Sequence, residues 1–89
     1  MIYKLEKKLY DMKVLILGAT GGIGRELAKE FSKDWEVCGT GRNLKVLEEL
    51  KSKNFLKDYL VADVSKKEDR EKIVKFSANK DWVIYSFGL

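Results

Sequence analysis

The sequence predicts an α/β fold: a three-layer domain built on a parallel four-stranded sheet, with strand order 3-2-1-4 and helices on both faces. Two observations support this prediction. Short apolar runs alternate with segments whose apolar residues recur at helical spacing, in the order β-α-β-α-β-α-β. A glycine-rich turn, residues 18–24, joins the first apolar run to the first helical segment. Because crossovers between parallel strands are right-handed, the first two helices fall on one face and the third on the other.

The first strand and the first helix are predicted at residues 13–17 and 22–33, on either side of the glycine turn. The turn holds glycines at positions 18, 21, 22 and 24. This spacing fits Gly-x-x-x-Gly-x-Gly and Gly-x-x-Gly-x-x-Gly, and no Lys-Ser/Thr pair follows as in a P-loop. A tight turn needs glycine where dihedrals are unusual, and the helix behind it presents free N–H groups to an anion. The turn therefore predicts a site for the pyrophosphate of a nucleotide.

The remaining strands and helices follow at regular intervals. Their predicted bounds are 36–39, 59–62 and 81–86 for the strands, and 44–53 and 66–77 for the helices. Asn43 is a suitable N-cap for the second helix. Ser65 is predicted to cap the third helix and to close a capping box with Glu68. These elements form one domain, residues 12–89, and residues 1–11 form an N-terminal extension with the pattern of a weak amphipathic helix.

Length, composition and charge restrict the classes of function. The chain has 89 residues, which suits one small domain, and a net charge of +4. Its lysines and acids are interspersed, as on a solvated surface, so nucleic-acid binding is not expected. The absence of histidine and the single cysteine, Cys38, exclude a histidine-based triad, a disulfide framework and a zinc site. No apolar run is long enough to span a membrane, and a cytoplasmic location is expected.

The tip of the second strand indicates which ligand the domain binds. In an open parallel sheet the ligand lies outside the C-terminal strand ends, where the strand order reverses, here at strands 1 and 4. An NAD site places an acid at the tip of strand 2, but residues 39–43 contain none. The Arg42 guanidinium matches a phosphate and stays charged, and Thr40 adds a hydroxyl. We therefore expect NADP rather than NAD, the alternative being that Arg42 is a solvated loop residue.

Residues 17–24, 41–50 and 63–65 together resemble the N-terminal half of a short-chain dehydrogenase/reductase, and the resemblance extends over residues 12–88. It implies a Rossmann-like fold in which Asp63 accepts a hydrogen bond from the adenine amino group and Val64 packs on the adenine ring. Gly88 would match the last residue of the family's Asn-Asn-Ala-Gly motif, although both asparagines are missing here. The expected cofactor-binding residues are Gly18, Thr20, Gly21, Gly22, Ile23, Gly24, Thr40, Arg42, Asn43, Asp63, Val64 and Gly88.

The family's catalytic residues find no match at the expected places. The resemblance implies a catalytic serine and a Tyr-x-x-x-Lys pair on later elements, and the pair at residues 3–7 precedes strand 1, which makes it a coincidence. Ser86 and Tyr85 stand nearest to the strand ends, and neither has an evident activating base. We assign no catalytic residue and expect an NADP(H)-binding module truncated before the catalytic half. The alternatives are an oxidoreductase completed by a dimer mate or partner chain, and a structural remnant without a ligand.

The last predicted strand suggests how the chain associates with a partner. Residues 81–87 are apolar and lie at the edge of the sheet, and one helix alone covers the second face. A homodimer that forms through this strand, or through the N-terminal helix, is therefore a hypothesis.

Overall fold

The structure is a computed structural model, and it describes residues 12–86. The strands are β1 (Lys13–Leu17), β2 (Glu36–Gly41), β3 (Asp58–Val61) and β4 (Trp82–Tyr85). The helices are α1 (Gly22–Phe31), α2 (Leu44–Ser52) and α3 (Lys67–Ser77). The predicted N-terminal helix and Gly88 lie outside the described residues.

The four strands form one parallel sheet in the order β3-β2-β1-β4, which confirms the predicted fold class. The central strand β1 pairs with β2 from Lys13 opposite Glu36 onward, and with β4 from Val14 opposite Trp82 onward. Strand β3 pairs only with β2 among the described strands. Because all four strands run the same way, their C-terminal ends emerge along one edge of the sheet.

The side chains of β1 alternate between the two faces of the sheet and so build two apolar cores. Val14 and Ile16 pack with Ala28 of α1 and with Leu47 of α2. On the opposite face, Leu15 and Leu17 belong to a smaller core with Ile73 of α3 and with Cys38 and Ala62. This distribution confirms that two helices cover one face and a single helix covers the other.

Element bounds differ from the sequence prediction by at most two residues, and the two-residue differences lie at the ends of β2 and α1. Strand β2 continues through Thr40 and Gly41, two residues beyond its predicted end at residue 39. Gly41 pairs with Val61, and its carbonyl oxygen accepts from the Ala62 N–H at 2.9 Å. Helix α1 ends at Phe31 rather than residue 33, because the chain turns there to bring Trp35 back against Phe31. Their ring centroids lie 5.2 Å apart, and the Trp35 N–H donates to the Phe31 carbonyl oxygen at 2.9 Å.

One of the two predicted helix caps is confirmed and the other is wrong. The Asn43 side-chain oxygen accepts from the Val46 N–H at 3.2 Å at the start of α2. Ser65 does not cap α3, which begins at Lys67 after an N-cap residue, Lys66, that makes no side-chain cap bond. Ser65 instead donates backward to the Asp63 carboxylate, which leaves it unavailable to the helix.

Strand β4 presents apolar side chains at the edge of the described sheet. Trp82 is 57% exposed and Val83 is 43% exposed, and Val74 of α3 is exposed on its helix. Among residues 12–86, no helix combines the length and the apolar character that crossing a lipid bilayer requires.

Candidate functional site

An open cavity of about 380 Å³ lies at the C-terminal edge of the sheet. Four chain segments meet there: the glycine turn after β1, the end of β2, the segment after β3 and the residue after β4. The cavity is lined by Gly18, Thr20, Gly21, Thr40, Gly41, Arg42, Ala62, Asp63, Val64, Ser65 and Ser86. Seven predicted site residues are therefore brought together around one opening, and four unpredicted residues join them.

The glycine turn is held in place by the neighbouring strand. The N–H groups of Gly18 and Ala19 donate to the Thr40 carbonyl oxygen at 3.1 and 2.8 Å. Gly18 has a φ of 87°, a left-handed conformation that only glycine adopts without strain, and its carbonyl oxygen accepts from the Gly21 N–H at 3.3 Å. Thr40 thus serves the turn through its backbone, and its side chain is 1% exposed.

The glycines of the turn do not share one role. A Cβ at Gly24 would collide with the Gly18 carbonyl oxygen and would lie 2.8 Å from Ser86 Oγ, so the packing of the protein itself requires a glycine there. A Cβ at Gly22 would meet no atom within 4 Å, and one at Gly21 would make an ordinary contact of 3.7 Å. The space in front of Gly22, at the start of α1, is therefore open to a ligand.

The N-terminus of α1 is free of protein groups that would compete with an anion. Its N-cap residue, Gly21, has no side chain to cap the first N–H groups, and the first turn contains no acid. Ile23 belongs to the same turn and is 64% exposed. The dipole and the unpaired N–H groups of this helix therefore face the solvent.

Ser86 joins β4 to the glycine turn. Its hydroxyl group lies 2.9 Å from the Leu17 carbonyl oxygen and 3.1 Å from the Gly18 carbonyl oxygen, and it donates to them. The residue is 7% exposed, and its N–H also donates to the Leu17 carbonyl oxygen. In the sequence Ser86 stood out as a catalytic candidate, and this structural role was not predicted. The feature of the sequence that could have indicated this role is the position of Ser86 directly after β4, opposite the end of β1.

The tip of β2 carries positive charge at the rim of the cavity. Arg42 lines this cavity and also the adjoining depression formed with Thr20, Asn43, Leu44 and Lys45. Within the described residues Arg42 makes no ion pair, so its guanidinium is available. Lys45, on the first turn of α2, brings a second cation that was not among the predicted site residues.

Gly41 was also missed, although it shapes the floor of the cavity. A Cβ there would lie 2.5 Å from Thr20 Cγ2, so the absence of a side chain lets Thr20 pack across the end of β2. The available signal was the glycine immediately before the arginine at the strand tip.

The segment after β3 presents an ionised carboxylate. Asp63 Oδ1 accepts from the Ser65 hydroxyl at 2.7 Å and from the Ser65 N–H at 2.9 Å. These two bonds, followed by the charges of Arg42 and Lys66, lower the pKa of Asp63 below its ordinary value. Val64 stands beside it with its side chain 37% exposed. The segment therefore offers a hydrogen-bond acceptor next to a small apolar surface.

The arrangement contains no metal centre among residues 12–86, because no three His, Cys, Asp or Glu side chains group there. The groups gathered here can bind anions at a helix N-terminus and at the cationic tip of β2, and Asp63 can accept a hydrogen bond.

Comparison with known proteins relates this site to others. The family profile for short chain dehydrogenase matches residues 12–82. A search of curated protein sequences finds no match. Among solved structures, a short chain dehydrogenase/reductase family protein aligns with 92% of this chain at 21% identity and a TM-score of 0.80. The serine dehydrogenase from Escherichia coli aligns with 81% of it at 29% identity and a TM-score of 0.70. YwfH, an NADPH dependent reductase involved in bacilysin biosynthesis, aligns with 75% of it at 22% identity and a TM-score of 0.66.

The aligned regions make up 36%, 36% and 31% of those three structures, so this chain spans about a third of their length. The family match covers most of the chain and includes the glycine turn, the tip of β2 and the segment after β3. The order of the strands and the position of the cavity agree with it. The chain belongs to the short chain dehydrogenase family.

Proposed function

We propose that this chain is an NADP(H)-binding module, the cofactor half of a short-chain dehydrogenase/reductase. One observation carries the proposal: the open cavity joins an uncapped helix N-terminus to an arginine that no carboxylate pairs with in the described residues. These two features suit the diphosphate and the 2′-phosphate of one dinucleotide.

The diphosphate would lie over Gly22 at the start of α1. The open space in front of Gly22 admits a group that any larger side chain would block. The N–H groups of the first turn would donate to its oxygens, and the dipole of the helix favours its charge.

The adenosine end would lie between the tip of β2 and the segment after β3. Arg42 would bind the 2′-phosphate through paired hydrogen bonds, with Lys45 adding positive charge. Asp63 would accept from the adenine amino group, and Val64 would pack on the ring. The nicotinamide, when bound, supplies the hydride-transfer chemistry.

Titration calorimetry of the purified chain with NADPH, NADP, NADH and NAD tests the proposal. We expect the two phosphorylated forms to bind more tightly. Arg42→Ala should weaken NADP binding roughly 10- to 100-fold, as loss of a charge-assisted hydrogen bond implies, and should leave NAD binding nearly unchanged.

Arg42→Lys is the matched variant, because it keeps the charge and removes the planar pair of donors. It should fall between the wild type and Arg42→Ala. Equal losses of NADP and NAD affinity would contradict the assignment of Arg42, and no binding of any of the four forms would overturn the proposed function.

A second candidate function is an oxidoreductase whose site is completed by another polypeptide. Family membership favours it, since the family takes its name from hydride-transfer enzymes. Oxidation of NADPH by carbonyl substrates, followed at increasing chain concentration and with candidate partner chains, distinguishes the two. Turnover that depends on a partner would support the enzyme, and binding without turnover would support the module.

A further inference from the structure

Helix α3 holds the segment after β3 through two side chains. The Asp63 N–H donates to Asp69 Oδ2 at 2.8 Å, and the Arg70 guanidinium donates to the Val64 carbonyl oxygen at 2.8 Å. Asp69 is largely buried, with its side chain 20% exposed, and its second carboxylate oxygen lies 4.0 Å from Lys72 Nζ. Helix α3 is thus hydrogen-bonded to the backbone of two successive residues of the cavity wall.

Contacts inside the segment satisfy most of its other polar groups. Ser65 donates twice to Asp63 Oδ1, and the Lys66 N–H donates to the Asp63 carbonyl oxygen at 3.0 Å. Within the described residues, two polar groups of Asp63 and Val64 then have no hydrogen-bond partner: Asp63 Oδ2 and the Val64 N–H. They are an acceptor and a donor on adjacent residues of the cavity wall.

We infer that Asp69 and Arg70 are positioning residues that fix this acceptor and donor for the Watson–Crick edge of an adenine. The inference rests on the proposed function and names how that site selects its base. Adenine offers an amino donor beside a ring-nitrogen acceptor, which complements the pair. Hypoxanthine offers a carbonyl acceptor beside an N–H donor, and both of its groups would face a group of the same kind.

Helix α3 restrains the segment from outside, in addition to the hydrogen bonds within it. Val64, Ser65 and Lys66 are all exposed, so no buried side chain of theirs anchors the chain between β3 and the helix. A recognition group must be held within a fraction of an ångström to contribute fully to affinity. Asp69 and Arg70 supply that restraint without touching the ligand.

The experiment compares NADPH with its hypoxanthine analogue, nicotinamide hypoxanthine dinucleotide phosphate, in titrations of the full chain. The wild type should prefer NADPH by about tenfold or more, since two hydrogen bonds differ between the bases. Asp69→Ala and Arg70→Met should each weaken NADPH binding and barely change the binding of the analogue. The ratio of the two affinities therefore falls towards one. Asp69→Asn keeps a carbonyl acceptor and should retain most of the preference.

Glu68→Ala is the matched control, because it removes the other acid of the same helical turn and no bond to the segment. It should keep the wild-type ratio. Thermal melting of every variant separates loss of fold from loss of base selection. A general loss of structure lowers both affinities together and leaves their ratio unchanged.

The outcomes separate this inference from the proposed function. If the wild type binds NADPH and Asp69→Ala or Arg70→Met keeps the full preference for it, the positioning role is overturned and the proposed function stands. Equal wild-type affinity for NADPH and the analogue also overturns the inference alone. If the wild type binds neither, the proposed function fails and the inference fails with it.

Discussion

Single residues of the glycine turn separate the needs of the fold from the needs of a ligand. Gly18 must adopt a left-handed conformation, and Gly24 must leave room for the Gly18 carbonyl oxygen and for Ser86. Neither requirement applies to Gly22, because a Cβ there would meet no other atom of the protein within 4 Å. Substitutions at these positions should therefore have opposite effects on stability and on binding.

Gly22→Val should abolish dinucleotide binding while the chain keeps its fold. The valine would project into the open space where the diphosphate is expected, and its cost at a helix start is below about 1 kcal/mol in the free energy of unfolding. Thermal melting and calorimetry check the two halves of this prediction. Unchanged NADP affinity would place the diphosphate elsewhere.

Gly24→Ala, by contrast, should lower the free energy of unfolding. The new methyl group would press on the Gly18 carbonyl oxygen and on Ser86 Oγ, and overpacking of this kind costs about 1–3 kcal/mol. Urea denaturation measures the loss. A variant as stable as the wild type would show that the turn relaxes freely around position 24.

Cys38 should be protected from thiol reagents in the folded chain. Its side chain is buried in the smaller core, and burial raises the pKa of its thiol above the ordinary value of 9.0. The reactive thiolate is therefore scarce at pH 8, and it becomes more common only as the pH rises or the chain unfolds. Labelling should be slow in buffer and fast in urea; fast labelling of the folded chain would contradict this burial.

At the level of residues, local patterns in the sequence pointed to the glycines and to Arg42, and the family resemblance pointed to Asp63. Arg42 and Asp63 line one cavity with Gly18 and Gly21, and their roles towards a cofactor stay predictions. It misassigned Ser65, since a serine followed three residues later by a glutamate also fits a capping box. Ser65 instead donates two hydrogen bonds to the Asp63 carboxylate, and a sequence pattern for helix starts does not include an upstream carboxylate. Asp69 and Arg70 carried no local signal, because their partners are backbone groups six residues away.

At the level of elements, the caps decide where helices begin. Asn43→Ala should lower the free energy of unfolding by about 1 kcal/mol, because the Val46 N–H loses its acceptor. Asn79→Ala, at an exposed asparagine beyond the end of α3, is the control and should change stability less. Equal effects of the two substitutions in urea denaturation would contradict the capping role.

Periodicity predicted every described element and its type, and the errors lie at the element ends. Strand β2 was predicted too short because Thr-Gly-Arg-Asn has the composition of a turn, whereas pairing with β3 extends the strand by two residues. Helix α1 was predicted too long because no local sequence pattern indicates that the Trp35 ring packs against the Phe31 ring. In both cases a tertiary contact outweighs local preference.

At the level of the whole molecule, the exposed apolar side chains of β4 favour a homodimer, which stays a prediction. Two chains pairing through this strand would bury Trp82 and Val83, which the described chain leaves about half exposed. We expect light scattering to give the mass of two chains, and Val83→Lys to shift the mass towards one. A single-chain mass for the wild type across the concentration range would remove this hypothesis; the N-terminal helix, as the other predicted contact, is tested by deleting residues 1–11.

The hydrogen bonds from Ser86 also bear on the order in which the protein is made. Chain synthesis proceeds from the N-terminus, so the glycine turn exists well before Ser86, which lies 68 residues beyond Gly18. Until that hydroxyl group arrives, the Leu17 and Gly18 carbonyl oxygens lack the donor that ties them to β4. A nascent chain therefore contains the glycine turn long before Ser86 completes the cavity. Binding of a nucleotide by the growing chain would then indicate that β4 has paired with β1.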